Sequence, residues 1–226
     1  AGASNSTLRC RIEIPGEDAL LCVYKPVAGE RPLWDFPEWT LGHRELAAFE
    51  LAQALGWGLV PPPSWRDDGP GGAGMCQAWI EVDPDVDQVD VVRPGPAPAG
   101  WKRVLDATDA LGNPVELVHA DSAELRRIAV FDAVANNADR KGGHVLGDRD
   151  GRIWAIDHGV TFSADPKLRT VVWGWAGEAI AEPDLDDLRS LRELIGTSFE
   201  PVDQWLDDDE RIRLRTRLRR LIDRGA

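Results

Sequence analysis

The chain has 226 residues, with 39 acidic against 26 basic side chains, a net charge of −13, and 43% apolar and 29% charged residues. This is the composition of a globular protein, not a disordered one, and its acidity argues against nucleic acid or an anionic lipid surface as partner. No run approaches the ~18 consecutive apolar residues of a membrane span, and Ala1–Ser6 lacks the basic and apolar regions of a signal peptide.

The three cysteines, Cys10, Cys22 and Cys76, are odd in number and far apart, which suggests neither a disulfide framework nor a zinc site. They read as buried reduced thiols of a cytoplasmic protein.

In chain order, the polar stretch Ser4-Asn5-Ser6-Thr7 precedes an alternating run from Leu8 to Ile14. Pro15-Gly16-Glu17-Asp18 is a turn and Ala19–Lys25 a return strand, giving an N-terminal hairpin. A Gly/Pro/Trp-rich loop follows from Ala28 to Pro37. Leu41, Ala48, Leu51, Ala52 and Leu55 recur at helical spacing, and Gly56 suits the helix end. A hairpin turn at Gly69–Gly74 leads into the apolar run Met75–Ile80.

From Asp83 to Gly100 the chain is acidic and then rich in Pro, Gly and Ala, the composition of a surface loop and domain boundary. Trp101–Ala107 and Pro114–His119 are expected to pair across Leu111-Gly112-Asn113. Asp121 or Ser122 caps a helix through Leu125, Ile128, Phe131 and Val134, which breaks at Asn136-Asn137. Asp132 lies on that helix and reads as structural. Val145-Leu146 and Ile153–Ile156, joined by Asp148-Arg149-Asp150-Gly151, form a short hairpin ending on Asp157. Leu185–Ile195 and Gln204–Ile222 are amphipathic helices.

The short hairpin brings Asp139, in the polar loop, beside Asp157, at a strand end. Phosphoryl transfer uses such a pair: one Asp orients the attacking hydroxyl, and a second holds the cation on the phosphates. Asn137-Ala138-Asp139-Arg140 followed by Ile156-Asp157-His158-Gly159-Val160-Thr161-Phe162 resembles the phosphatidylinositol 3- and 4-kinase superfamily, in the style of the type II phosphatidylinositol 4-kinases and their small bacterial relatives.

The resemblance implies an α+β, two-lobed protein-kinase-like fold, with a small antiparallel-sheet lobe over residues 1–80 and a mainly helical lobe over 81–226. It implies an ATP-dependent phosphotransferase acting on a hydroxyl, with Mg²⁺ or Mn²⁺. Asp139 is the base, Asn137 steadies its loop and Arg140 neutralises phosphate charge. Asp157 and His144 hold the metal; the family usually has Asn where His144 stands, and imidazole suits Mn²⁺ better than Mg²⁺.

On the nucleotide side, Ser4, Asn5, Ser6 and Thr7 cover the phosphates, Lys25 contacts them, Glu45, with Glu50 as the second candidate, pairs with Lys25, and backbone groups from Gln77 through Ala78, Trp79 and Ile80 meet the adenine edge. Substrate is expected near Lys167, Arg169, Trp173 and Trp175. An acidic chain without a membrane-facing helix favours a protein Ser/Thr, including self-phosphorylation, or a small soluble alcohol as acceptor over a phosphoinositide. Two alternatives stand beside this reading: a nucleotide-binding regulator without catalysis, which His144 favours, and a nucleotidyl transferase.

Overall fold

The computed structural model describes residues 5–13, 15–196 and 198–225, so Ser4 lies outside the described residues. The architecture is α+β, with antiparallel sheets and five α-helices among the described residues. In chain order the elements are β1 (Leu8–Ile12), β2 (Leu20–Pro26), α1 (Leu41–Ala54), β3 (Pro63–Gly69), β4 (Gly72–Ala78), β5 (Val89–Val92), β6 (Trp101–Thr108) and β7 (Pro114–Ala120). They continue with α2 (Ala123–Ala135), β8 (Val145–Gly147), β9 (Ile153–Ala155), α3 (Glu182–Leu194), α4 (Glu200–Asp203) and α5 (Asp208–Arg224). No helix among the described residues is long and apolar enough to cross a membrane.

The first sheet has the order β1-β2-β4-β3. Burial alternates along β2: Cys22 and Tyr24 are buried on one face, and Val23 and Lys25 point to the other. α1 packs against β3 and β4. The second sheet, β5-β7-β6, contains the predicted pair β6–β7, whose turn is fixed by Asp109 Oδ1 accepting the amides of Leu111 and Asn113, each at 2.8 Å. The 83–100 segment, expected to be loop, supplies β5, in register with β7. It also packs on the β8–β9 hairpin, where a Cβ at Gly147 would lie 2.6 Å from Val86 Cγ1, so only glycine admits the approach.

The main core joins Ala48 and Leu51 of α1, Ile128 and Phe131 of α2, Leu188 and Leu191 of α3, and Leu214 and Leu218 of α5. The last helix, expected from Gln204, begins at Asp208. Asp207 forms a capping box with Glu210 that separates it from α4. Arg44 of α1 is buried; its guanidinium meets Glu210 and donates to the Thr161 carbonyl at 2.8 Å.

His119 is fully buried between the second sheet and the 170–177 segment. Its Nε2 accepts the Gly174 amide at 2.9 Å, so the proton sits on Nδ1, 2.9 Å from the Ala120 carbonyl. Burial, first of all, holds this imidazole below its ordinary pKa, and burial does the same to His43. The unfolded chain therefore takes up protons as pH drops through about 6.5 while the folded chain does not. The stability these two groups contribute is present above that pH and lost below it, down through the folded-state values. Denaturant unfolding at pH 7.5 and 5.5 should show the loss, and His119→Gln should reduce its slope; equal stabilities at the two pH values would refute the assignment.

Candidate functional site

Ser122 starts α2 by accepting the Leu125 amide at 3.2 Å, and Asn136 ends it in the left-handed region at φ 56°. Asn136 then turns its side chain onto the 163–167 segment. Its amide donates to the carbonyls of Ser163 (3.0 Å) and Asp165 (2.7 Å), and its Oδ1 accepts the Lys167 amide at 2.9 Å. The next residues form the loop read from the sequence. Asn137 does steady it, donating to Asp132 Oδ1 at 3.0 Å and accepting the Asp139 amide at 2.9 Å.

Arg140 takes a different place from the one expected. It is buried, with Nε and Nη2 on the Asp132 carboxylate at 2.8–3.2 Å, Nη1 on the Ile156 carbonyl at 2.6 Å, and Nη2 on His158 Nε2 at 2.8 Å. A guanidinium spent in this way supports the loop and the strand before Asp157 and is not directed at a phosphate. Asp132 also accepts from Thr170 Oγ1 at 3.2 Å, in keeping with the structural role expected for it.

Because arginine only donates, His158 Nε2 is an acceptor and its ring is neutral. Complete burial, then Arg140, keeps its pKa far below the usual range. The His158 amide donates to Glu45 Oε2 at 2.9 Å. The other oxygen of Glu45 takes Lys25 Nζ at 2.5 Å, so the expected Lys25–Glu45 pair forms, with Glu45 nearly out of solvent.

Lys25 also reaches Asp157 Oδ1 at 3.0 Å. Burial works against the ammonium, yet Glu45 and Asp157 overcome it and hold its pKa above the ordinary value. Asp157, at φ 62°, has its pKa lowered: burial resists, but Lys25 first, and then His144 when protonated, outweigh it.

His144 Nε2 lies 3.2 Å from Asp157 Oδ2, while its Nδ1 is buried with no hydrogen-bond partner among the described residues. Burial lowers the His144 pKa, which leaves a neutral ring with a lone pair to give. Two ligand atoms at about 2.1 Å from one cation and at right angles to each other lie about 3 Å apart, so this pair fits a shared cation. No group of three or more His, Cys, Asp or Glu is assembled for a metal among the described residues. The remaining ligands would have to come from phosphate or water, as is usual for Mg²⁺ with a nucleotide.

Asp139 carries two ion pairs, to Lys141 at 2.7 Å and Arg169 at 3.0 Å. Arg169 is also bound through its backbone, donating to the Asn137 carbonyl at 2.8 Å and accepting the Arg140 amide at 3.0 Å.

The nucleotide-side expectations fare unevenly. The Ser6 amide is engaged with the Gly29 carbonyl at 3.1 Å, and Asn5 Oδ1 accepts the Arg31 amide at 2.9 Å; the Thr7 hydroxyl is 3.5 Å from the Asn5 carbonyl. β4 is interior to its sheet, so the Ala78 and Trp79 amides go to the carbonyls of Pro62 (2.9 Å) and Leu21 (3.0 Å), and buried Gln77 donates to the Pro61 carbonyl. Those two amides are thus withdrawn from an adenine edge, which leaves the stretch from Ile80 onward. Trp79 stacks with Arg9, 4.5 Å from its ring centre.

Among the residues expected near substrate, Trp175 is buried and donates to Asp121 at 2.9 Å, making it core, whereas Trp173 is exposed. Lys167 bridges to Asp35 at 2.7 Å and lies over the rings of Trp34 and Phe36. Sequence reasoning missed this contact, and it missed Thr170 on Asp132 and Arg44 on Glu210. Only the aromatic residues Trp34 and Phe36 of the 28–37 loop hinted at the first.

The site thus defines an α+β protein whose sheet lysine is clasped between a helix glutamate and a strand-end aspartate. No protein-family model matches the chain. It is 48% identical over 206 residues to protein Rv2133c of Mycobacterium tuberculosis, an alignment spanning 86% of this chain and 72% of that protein, and it belongs to the family of that protein.

Proposed function

We propose that the chain is an ATP-dependent kinase of two-lobed, protein-kinase-like build, with residues 1–80 and 81–226 as its lobes, that transfers the γ-phosphate to a hydroxyl of a protein or small soluble alcohol. The observation that carries this reading is Lys25 Nζ held at 2.5 Å from Glu45 and 3.0 Å from Asp157. Three residues from distant parts of the chain meet as a phosphate-binding lysine, its positioning carboxylate and a metal-binding aspartate would.

In this reading Lys25 contacts the α- and β-phosphates. Asp157 and His144 hold Mg²⁺ or Mn²⁺, which when bound neutralises charge on the phosphates. Asp139 orients the acceptor hydroxyl and takes its proton. Asn137 fixes the Asp139 backbone, and Arg140 fixes the Ile156 and His144 carbonyls from below.

The test is incubation with γ-labelled ATP and Mg²⁺ or Mn²⁺, alone for self-phosphorylation and with candidate acceptors. Transfer that falls about 10²–10⁴-fold in Asp139→Ala, the usual worth of a positioned base, supports the kinase. Nucleotide binding without transfer in either metal supports a non-catalytic regulator, a reading favoured by the two ion pairs that occupy Asp139. Label transferred from α-labelled ATP instead would indicate nucleotidyl transfer.

A further inference from the structure

Every cysteine of the chain lies in one patch of the first sheet. Cys10 on β1 and Cys22 on β2 stand directly opposite in the antiparallel register, while Cys76 on β4 faces Tyr24, two residues along from Cys22. With Tyr24 they make a small apolar cluster separate from the main core, on the sheet face away from Lys25.

Directly opposed residues of an antiparallel pair have Cα atoms about 4.5–5.5 Å apart, inside the 4.4–6.8 Å that a disulfide spans. A diagonal pair lies at about 7–8 Å, beyond that reach without backbone movement. All three thiols are free, and Cys10 alone is partly exposed.

We propose that Cys10 and Cys22 form an oxidisable dithiol, a peroxide-responsive site at the sheet edge independent of the phosphotransfer reading. The partly exposed Cys10 thiol reacts first: a peroxide takes two electrons from sulfur, its O–O bond breaks, and Cys10 sulfenic acid and one water (or alcohol) result. The Cys22 sulfur then attacks that sulfenic sulfur, forms the S–S bond and releases a second water. Cys76 stays reduced. Burial and the adjoining Cys22 push its thiol up to about 12, so it contributes almost no thiolate to exchange.

The test treats the native protein with hydrogen peroxide, counts free thiols by alkylation and maps linked peptides by mass spectrometry. The expected result is a fall from the three thiols of the chain to one, with Cys10 joined to Cys22 and reversal by dithiothreitol. Cys10→Ser, at a partly exposed edge position, should keep both remaining thiols reduced under the same treatment; Cys76→Ser should still form the bond. Three free thiols after treatment, a stable sulfenic or sulfinic acid without linkage, a Cys22–Cys76 bond, or linkage seen only in denaturant would each overturn the proposal.

Discussion

Replacing Arg140 by alanine is expected to lower the unfolding free energy by about 3–5 kcal/mol, the cost of leaving one partner of a buried ion pair uncompensated. Both side chains of the Arg140–Asp132 pair are shielded completely from solvent. Removing the guanidinium leaves the Asp132 carboxylate with only the neutral donors Asn137 and Thr170, and takes a donor from the Ile156 and His144 carbonyls and from His158 Nε2. Asp132→Ala should cost a similar amount, and the double variant less than the sum of the two, because each single change already breaks the same network. Denaturant titration of the three variants measures this. Additive losses, or an Arg140→Ala variant as stable as the parent, would show the network to be dispensable.

The second large effect is expected on activity with little change in folding. Asp157 is about half exposed, its side chain 47% accessible, and Lys25 keeps Glu45 when Asp157 is gone. Asp157→Ala should therefore unfold at nearly the parent's midpoint while the proposed phosphotransfer falls by about 10²–10³-fold, the usual consequence of removing one electrostatic contact to a transition state. Asp157→Gly should lose activity equally yet be slightly the more stable of the two, because φ 62° costs glycine nothing. Parent-level transfer by either variant would remove Asp157 from the chemistry.

Much of this arrangement was legible because it is written locally. The return strand ending at Lys25, the helical spacing around Glu45 and the Asp-Gly turn before Asp157 each fix a short element, while the pairing of Lys25 with Glu45 comes from the kinase resemblance. Arg140 was not legible in the same way. A charged residue in a polar loop looks solvent-facing until a helix turn delivers Asp132 beneath it, and that placement depends on the left-handed break at Asn136. β5 was hidden because its four residues, three of them valines that favour strands, sit in a segment dominated by acidic, Pro and small residues, and the partner strand β7 is not visible in the sequence. The engagement of the Ala78 and Trp79 amides was hidden for a related reason, since sequence does not say that β4 is an interior strand. The meeting of the three cysteines likewise needed the sheet order, which no spacing discloses.

Arg44 adjoins Glu45 in α1, and its guanidinium is anchored to Glu210 near the start of α5. During synthesis, α1 leaves the ribosome long before its anchor exists, since 166 positions separate the two residues. Until the closing helix has been made and docked, the carboxylate that grips Lys25 stands on a helix with one tether missing. A nascent chain that ends before Glu210 therefore lacks this tether on the helix that carries Glu45.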